Sequence, residues 1–262
     1  MKAIILAAGM GTRLNKYTKR CPKGLLDFDG ISLLERQINT IRKVGINDIT
    51  IVKGYMEEMF NFQNVSYCIN ERYSDTNMVE SLLCVKEDLV GDCIVTYSDI
   101  IYDSKLLKKV IGSQTDIGVT VDQDYLDYWI LRLGDDYLSD MESLVVEDGC
   151  ITNIGKSNPN SDEALARYIG IIKFSAEGLD VMKKYYNHFK SKNYQSKWGS
   201  RTFVKWHMTD LLQALIDVDV PVNPIFVSKG WLEFDTENDY ELYNKWLENG
   251  QINNFINLDN SV

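Results

Sequence analysis

The sequence contains few of the residues on which several familiar kinds of site depend. Histidine occurs only twice in 262 residues, at His188 and His207, which disfavours catalysis by several imidazoles and directs attention to lysine, arginine and carboxylates. The five cysteines are odd in number, widely spaced and without a CxxC pair, so neither a disulfide framework nor a zinc site is indicated. We expect free thiols in a reducing cytoplasm.

Positive charge and long apolar runs are also scarce. The net charge of −10 and the pI near 4.8 give a field that repels polyanions, which disfavours nucleic acids and anionic membranes as partners. The first apolar run, AIILAAG, is too short for a secretory signal or a membrane span, so the sequence predicts a cytoplasmic protein. Any anionic ligand therefore needs a local concentration of basic side chains.

Short apolar strands alternate with helices along the first half of the chain. The runs KAIILAAG and DITIVKGY are typical of strands, and the segment between them has apolar residues on one helical face, which predicts a βαβ unit. The alternation continues with strands at VSYCIN, DCIVTYSD and DIGVTVD, and helices over 31–44, 78–89 and 104–111.

After Val121 the pattern changes. LVVEDGCITNI predicts an antiparallel hairpin at Asp148-Gly149, because this dipeptide tolerates the positive φ values of a type I′ turn. There is no internal repeat, linker or low-complexity segment, so we predict an α/β fold, a single doubly wound, Rossmann-like domain with a mixed, mostly parallel sheet. Its remaining elements are strands at ARYIGIIKF and IFVS and helices over 178–189, 202–218 and 237–248.

A glycine loop rich in basic residues follows the first strand. Between Arg13 and Lys23 the chain carries five basic residues and no acidic one. Open α/β sheets bind ligands at this edge, and free loop amides with two cations suit a nucleoside triphosphate. The GxGxxG and GxxxxGK patterns would each require glycine at Leu14, so a nicotinamide-type or Walker loop is disfavoured. A turn beside a solvated charge run is the alternative.

The segment LAAGMGTRL…CPKGLL closely resembles the signature of the nucleotidyltransferase superfamily, in particular its sugar-nucleotide and small cytidylyltransferase branch. The resemblance extends through INERYSDTNMVESL, VTYSDIIYD and WLEFDTENDY. It implies a GT-A-like domain over 1–262, in which 1–121 mostly bind a nucleotide and 122–262 mostly bind an acceptor. The implied reaction joins an NTP to a phosphorylated acceptor and releases pyrophosphate, with Mg²⁺ as cofactor.

The resemblance also implies roles for individual residues. Arg13 would bind the β and γ phosphates, and Lys23 would bind the transferred phosphorus. Because the acceptor phosphate is already the nucleophile, positioning and charge neutralisation supply most of the catalysis. The implied nucleotide-binding residues are Leu6, Ala7, Ala8, Gly9, Gly11, Thr12, Asn77, Ser81 and Ser98.

Carboxylates after two apolar segments are candidate magnesium ligands. Asp99 ends the strand CIVTYSD and matches the family's metal-binding aspartate, although Asp is also common in turns. In WLEFDTENDY, Glu233 and Asp235 lie on one face of an extended segment, and the sequence does not choose between them. We favour Asp235, with a helix cap as its alternative role.

The choice of nucleotide base and of acceptor is predicted from weaker sequence signals. Asn77 and Ser81 resemble residues near the nucleotide in phosphocholine cytidylyltransferases, which favours CTP, while Asn77 could equally cap a helix. The Gln-Pro and Gly-Leu-Ala stretches usual in enzymes that use UTP or dTTP are missing.

The segment after Val121 offers acidic and aromatic residues for an ammonium group and an arginine for an anion, unless its aromatic residues belong to the core. By resemblance, a lysine and an aspartate further along the chain also face the acceptor. The candidate acceptor-binding residues are Asp122, Tyr128, Trp129, Arg132, Lys156 and Asp210.

We therefore predict a Mg²⁺-dependent cytidylyltransferase that acts on a small phosphorylated, amino-bearing acceptor. The pattern is similar to enzymes for phosphocholine, aminoethylphosphonate and especially phosphoglutamine, which serve surface polysaccharide decoration. The alternatives are a sugar-1-phosphate nucleotidyltransferase using UTP or dTTP, and a noncatalytic nucleotide-sensing domain. Retention of Lys23, Asp99 and an acidic pair disfavours the second alternative.

Overall fold

The computed structural model describes residues 1–195, 197 and 201–258. Its strands are β1 (Lys2–Ala7), β2 (Asp27–Phe28), β3 (Ile31–Ser32), β4 (Asp48–Lys53), β5 (Ser66–Ile69), β6 (Cys93–Tyr97), β7 (Ile100–Tyr102), β8 (Ile117–Asp122), β9 (Glu142–Glu147), β10 (Cys150–Ser157), β11 (Arg167–Phe174), β12 (Asn223–Val227) and β13 (Trp231–Glu233). Its helices are α1 (Asn15–Thr18), α2 (Leu33–Lys43), α3 (Met78–Leu83), α4 (Ser104–Ile111), α5 (Tyr125–Leu133), α6 (Ala176–Lys192), α7 (Met208–Ile216) and α8 (Glu237–Glu248).

A seven-stranded sheet in the order β12-β8-β11-β6-β1-β4-β5 forms the centre of the fold. β11 runs antiparallel to its neighbours β6 and β8, whereas the other neighbouring strands are parallel. The sheet takes strands from both predicted halves, since β11 and β12 follow residue 121. The predicted mixed, mostly parallel sheet is confirmed.

Each face of the sheet is covered by helices, as a doubly wound fold requires. Ile5 and its face pack with apolar residues of α2, α4, α5 and α8. Ile4 and the opposite face pack with residues of α3, α6 and α7. Successive side chains of β1 thus enter two separate cores, which explains why this strand is apolar from Ala3 to Ala7. No helix in the described ranges is both long and apolar enough to cross a lipid bilayer.

Several helix ends differ from the sequence prediction for identifiable reasons. Residues 31–32 pair with β2, and the Ser32 hydroxyl accepts a hydrogen bond from the Glu35 amide at 3.1 Å, so α2 begins two residues late. α3 ends at Leu83 because turns replace the helix over 84–88. α7 is preceded by a separate 3-10 turn, Phe203–Lys205. α4 and α8 have the predicted bounds.

The predicted hairpin is present between β9 and β10. Asp148 and Gly149 both have positive φ, 49° and 79°, as a type I′ turn requires. Two further elements, the antiparallel β7–β13 ladder and α5, are not predicted by the sequence patterns above. Both turn out to position the candidate site.

Candidate active site

The loop after β1 borders a cavity of about 250 Å³ at the carboxyl edge of the sheet. Ala7, which the sequence also predicts to bind nucleotide, does not line this cavity and is buried in one of the two hydrophobic cores. The cavity is lined by most of the residues predicted to bind nucleotide, phosphate and metal: Leu6, Ala8, Gly9, Gly11, Thr12, Arg13, Lys23, Asn77, Ser81, Ser98, Asp99 and Asp235.

Two glycines of this loop have different surroundings. Gly11 has φ +60°, and a Cβ there would lie 3.1 Å from Lys23 Cβ and 3.2 Å from Thr18 Cγ2. A Cβ on Gly9 would meet no atom of the described residues within 4 Å. Gly11 therefore permits a close turn against Lys23, and Gly9 leaves open space where a ligand can approach the loop.

Lys23 connects two carboxylates that are distant in the sequence. Its Nζ donates hydrogen bonds to Asp99 Oδ2 at 2.8 Å and to Asp235 Oδ1 at 2.9 Å. Arg13 Nη1 lies 2.6 Å from the other carboxylate oxygen of Asp235. The two predicted phosphate-binding cations and two predicted metal ligands thus form one cluster.

The β7–β13 ladder brings Asp99 and Asp235 together. Ile100 lies opposite Glu233 in this ladder, and the Phe234 amide donates to the Asp99 carbonyl at 2.8 Å. Asp99 immediately precedes β7, and Asp235 is the second residue after β13, so both carboxylates emerge at the same end of the ladder. A pairing between segments this far apart in the chain positions the cluster.

Burial and neighbouring charges set the protonation of the cluster. Burial lowers the pKa of Lys23, but the charges and hydrogen bonds of Asp99 and Asp235 outweigh it and hold that pKa above its ordinary value. Burial raises the pKa of Asp235, yet the Lys23 and Arg13 cations outweigh this effect and keep that pKa below its ordinary value. The ammonium and the Asp235 carboxylate are therefore both charged at neutral pH.

Glu233 is paired with a buried arginine of α5. Arg132 Nη1 lies 2.6 Å from Glu233 Oε2, and the remaining nitrogens of Arg132 hold the Asp239 carboxylate at 2.7 and 2.9 Å. Asp239 Oδ2 also accepts hydrogen bonds from the amides of Asp235 and Thr236, at 2.9 and 2.7 Å. Arg132, which the sequence predicts to contact the acceptor, instead holds the segment that carries Glu233 and Asp235.

Asn77 and Ser81 border the cavity and also have structural partners. Asn77 Oδ1 accepts a hydrogen bond from the Met78 amide at 2.9 Å at the start of α3, so the capping role coexists with a position at the cavity. The side-chain amide of Asn70 donates through Nδ2 to Ser81 Oγ at 2.9 Å and to Thr76 Oγ1 at 3.0 Å. These bonds hold the segment before and along α3 against the cavity.

A second cavity, of about 240 Å³, adjoins the first. The two cavities share Arg13, Met78, Tyr97 and Asp235 as lining residues. Glu233, a predicted metal ligand, also lines the second cavity. The sequence patterns above do not predict the rest of its lining, although Glu142 and Arg167 are charged residues that begin largely apolar strands, which is a usable signal. The rest of the lining includes Asp140, Glu142, Arg167, Tyr168, His207 and Thr209.

Trp129, a predicted acceptor residue, has no exposed surface. Two guanidinium groups contact its ring, with the Cζ atoms of Arg132 and Arg167 at 4.5 and 4.2 Å from the ring centroid. Such cation–π contacts attract through the quadrupole of the indole. Trp129 thus packs against two arginines and belongs to the core, which is the alternative stated for the aromatic residues of this segment.

Asp122 and Tyr128 border a different cavity, of about 610 Å³, outside the two described above. The Asp122 carboxylate accepts a hydrogen bond from Trp231 Nε1 at 2.7 Å, and burial raises its pKa. The Tyr128 hydroxyl lies 2.5 Å from the Tyr243 hydroxyl and accepts a hydrogen bond from the Glu233 amide at 3.0 Å. Both side chains therefore stabilise the β13 region.

The remaining acceptor candidates have partners of their own. Lys156 Nζ donates to the two carboxylate oxygens of Glu163 at 2.8 and 2.7 Å, beside the β9–β10 hairpin. Asp210 Oδ2 accepts from the His207 amide at 2.8 Å and from Arg201 Nη1 at 3.3 Å. Asp210 therefore caps α7 next to the second cavity, which His207 lines.

Comparison with known proteins gives one consistent family. Residues 3–154 match the family described as a MobA-like NTP transferase domain. The chain is 31% identical to CTP:phosphoglutamine cytidylyltransferase of Campylobacter jejuni over 253 residues, which span 92% of this chain and 98% of that protein. It is 36% identical to choline-phosphate cytidylyltransferase of Streptococcus pneumoniae over 141 residues, or 52% of this chain and 61% of that protein.

A solved structure supports the fold. CTP:phosphocholine cytidylyltransferase from Streptococcus pneumoniae matches with a TM-score of 0.72 over 94% of this chain and 98% of that one. The sequence identity in this match is 24%, so the likeness concerns the fold.

Proposed function

The chain belongs to the family of MobA-like NTP transferase domains, and on that premise we propose that it transfers the cytidylyl group of CTP to a small phosphorylated acceptor. The family is enzymatic, and the relative matched over nearly the whole chain is named a cytidylyltransferase. The relatives' names include phosphoglutamine, choline phosphate and 2-aminoethylphosphonate, which supports an acceptor that carries an amino or ammonium group. The product would be a cytoplasmic, activated donor for surface polysaccharide decoration.

In the proposed reaction an oxygen of the acceptor phosphate attacks the α phosphorus of CTP and forms a new P–O bond. The bond from the α phosphorus to the oxygen bridging it to the β phosphate breaks, and its electron pair leaves with pyrophosphate. The attacking oxygen is already ionised, so no side chain has to remove a proton from it. Holding the reactants in line and neutralising their charge therefore supply most of the rate enhancement.

The observation that carries this proposal is the cation cluster at the glycine loop. The Lys23 ammonium is largely buried between Asp99 and Asp235, where a compact point charge can follow a reacting phosphorus. The Arg13 side chain is 65% exposed at the cavity, and its planar fork suits the more accessible β and γ phosphates. The open space beside Gly9 leaves room for the phosphates at the loop.

The oxygen atoms of the cluster fit Mg²⁺. Asp99 Oδ1 is buried and makes no hydrogen bond within the described residues, and Asp235 lies across Lys23 from it. In the described part of the chain no three His, Cys, Asp or Glu side chains are grouped so that they could hold a metal ion. A Mg²⁺ ion here would therefore need phosphate and water oxygens as further ligands. Asp99 and Asp235 would hold the ion, which when bound neutralises charge on the triphosphate.

A grid of the four common NTPs against phosphoglutamine, phosphocholine, aminoethylphosphonate and hexose 1-phosphates, read as pyrophosphate release, tests the proposal. We expect turnover with CTP and an amino-bearing acceptor. Preference for UTP or dTTP with a hexose 1-phosphate would establish the sugar-nucleotide alternative. Nucleotide binding without turnover on any acceptor would favour a sensing domain.

A further inference from the structure

Glu142 is the first residue of β9 and lines the second cavity with its partly buried side chain. Within the described residues its carboxylate has no hydrogen bond and no ion pair, unlike the carboxylates of Asp140, Glu233 and Asp235 in the same cavity. A carboxylate that faces a small cavity without a partner is costly unless a ligand supplies one.

The two cationic side chains near Glu142, those of Arg167 and Arg201, have other partners. Arg167 influences Glu142 electrostatically, but its Nη1 donates to the Asp140 carbonyl at 2.7 Å and its Nη2 contacts the Asp140 carboxylate at 3.3 Å. Arg201 is likewise paired with Asp210 at 3.3 Å. Burial is the largest influence on the Glu142 carboxyl and raises its pKa.

The second cavity has one wall in common with the first cavity and a remainder that lies outside the first. Arg13 and Asp235 belong to the wall shared with the first cavity, so the phosphate of an acceptor would lie on that side, next to the cation cluster. Glu142 belongs to the second cavity alone. A ligand whose phosphate meets the cations would therefore place another group at Glu142.

We infer that Glu142 binds the protonated amino group of the acceptor and thereby selects amino-bearing phosphorylated compounds over amino-free ones. The inference rests on the proposed function and adds the residue that sets acceptor specificity. An ammonium group would give Glu142 charge-assisted hydrogen bonds, whereas an amino-free acceptor would leave a desolvated carboxylate unpaired. Because the interaction is remote from the reacting phosphate, it should act on acceptor affinity more than on the chemical step.

The test compares Glu142→Gln with the wild-type protein on matched acceptor pairs. The pairs are aminoethylphosphonate with ethylphosphonate, phosphoethanolamine with ethyl phosphate, and phosphoglutamine with its N-acetyl derivative. For each pair that supports turnover, we expect the wild type to favour the amino-bearing member. We expect Glu142→Gln to lower that ratio of kcat/KM by about tenfold or more, mainly through the KM of the amino-bearing member.

Glu147→Gln is the matched control, because Glu147 is the exposed last residue of the same strand. It should retain the wild-type ratio, and both variants should retain the wild-type affinity for CTP. A wild type that turns over both members of every pair equally, or a Glu142→Gln variant that keeps its selectivity, overturns the inference while the proposed function stands. Absence of pyrophosphate release by the wild type with every acceptor overturns both.

Discussion

Arg132 and Asp239 face each other through two parallel hydrogen bonds, Nε to Oδ1 at 2.7 Å and Nη2 to Oδ2 at 2.9 Å. Both side chains are buried, with 1% and 0% of their surfaces exposed. The same arginine holds Glu233, and the same aspartate holds the amide of Asp235. The pair therefore joins α5 and α8 to the segment that carries two of the three metal candidates.

Replacing Arg132 with methionine should destabilise the fold, because it leaves the carboxylates of Asp239 and Glu233 buried without their cation. We expect a loss of about 3–5 kcal/mol in the free energy of unfolding, measured by urea denaturation at neutral pH. The pair Lys183–Asp180, in which the Asp180 side chain is exposed, provides the control, and Asp180→Asn should cost less than about 1 kcal/mol. Equally small losses in the two variants would contradict a structural role for the buried pair.

Lys23→Ala should abolish most of the transfer activity and leave the fold intact. Lys23 lies between the two carboxylates in the cavity, so its removal takes away the central positive charge, and we expect pyrophosphate release to slow by about 10²-fold or more. The exposed Lys19 is the control from the same basic run. Lys19→Ala should change CTP affinity modestly and in a salt-dependent way, with circular dichroism unchanged for both variants. Near-normal turnover in Lys23→Ala would remove Lys23 from the mechanism.

The choice between Glu233 and Asp235 can be made with a magnesium titration. Asp99→Asn and Asp235→Asn should each lower activity by about 10²-fold and raise the Mg²⁺ concentration needed for half-maximal rate. Glu233→Gln should have a smaller effect on that concentration, because Glu233 lines the second cavity and not the cavity that Asp99 and Asp235 share with the glycine loop. EDTA should stop the wild-type reaction, and added Mg²⁺ should restore it. A requirement for Mg²⁺ that shifts more in Glu233→Gln than in Asp235→Asn would reverse the assignment.

Alanine at the two loop glycines should separate ligand binding from stability. Gly11→Ala forces a side chain into φ +60° and against Lys23, which should cost about 1–2 kcal/mol of stability. Gly9→Ala meets no atom of the described residues within 4 Å, so its thermal stability should stay near that of the wild type. Its methyl group would occupy the space proposed for the nucleotide, and calorimetric titration should show weaker CTP binding. Unchanged CTP affinity in Gly9→Ala would place the phosphates elsewhere.

The Glu142 carboxyl should make stability depend on pH in a defined direction. Burial raises its pKa above the ordinary value of 4.5, with Asp140 and Asp210 acting in the same sense and Arg167 and Arg201 opposing them. A raised carboxyl pKa favours the folded state below the ordinary pKa, and this contribution is lost as the pH rises through the folded-state pKa.

Glu142→Gln cannot ionise, so its melting temperature relative to wild type should be higher at pH 8 than at pH 4. Calorimetry at the two pH values measures this difference. Glu147→Gln, at the exposed end of the strand, should show no such trend. A Glu142→Gln variant that is less stable than wild type at pH 8 would show that the carboxylate stabilises the fold through a partner.

The glycine loop and the alternation of strands and helices were predictable because they are local patterns. The loop GMGTR and Asp99 follow strands whose apolar runs are legible, Lys23 belongs to the same signature as the loop, and all of them meet at one cavity. The β7–β13 ladder was not predictable, because its strands have three residues each and carry no readable period. The pairing of Asp99 with Asp235 therefore required the structure.

The acceptor side illustrates a second limit. Tyr128, Trp129 and Arg132 have the chemistry of a binding pocket, but the same aromatic residues at helical spacing also make a core, and here Trp129 is wholly buried. Glu142 and Arg167 begin apolar strands, and only the fold shows that both strands begin at one cavity. Residue type alone does not distinguish a residue that lines a site from a residue that packs behind it.

The β7–β13 ladder also gives the site an order of assembly. Lys23 and Asp99 are synthesised early, whereas Asp235 emerges only after the strands of the main sheet have all been made. A nascent chain that has folded its sheet still lacks the carboxylate that both Lys23 and Arg13 contact. The cluster is thus completed only after the central sheet, so a chain synthesised only as far as β12 should not sequester nucleotide in the manner of the full chain.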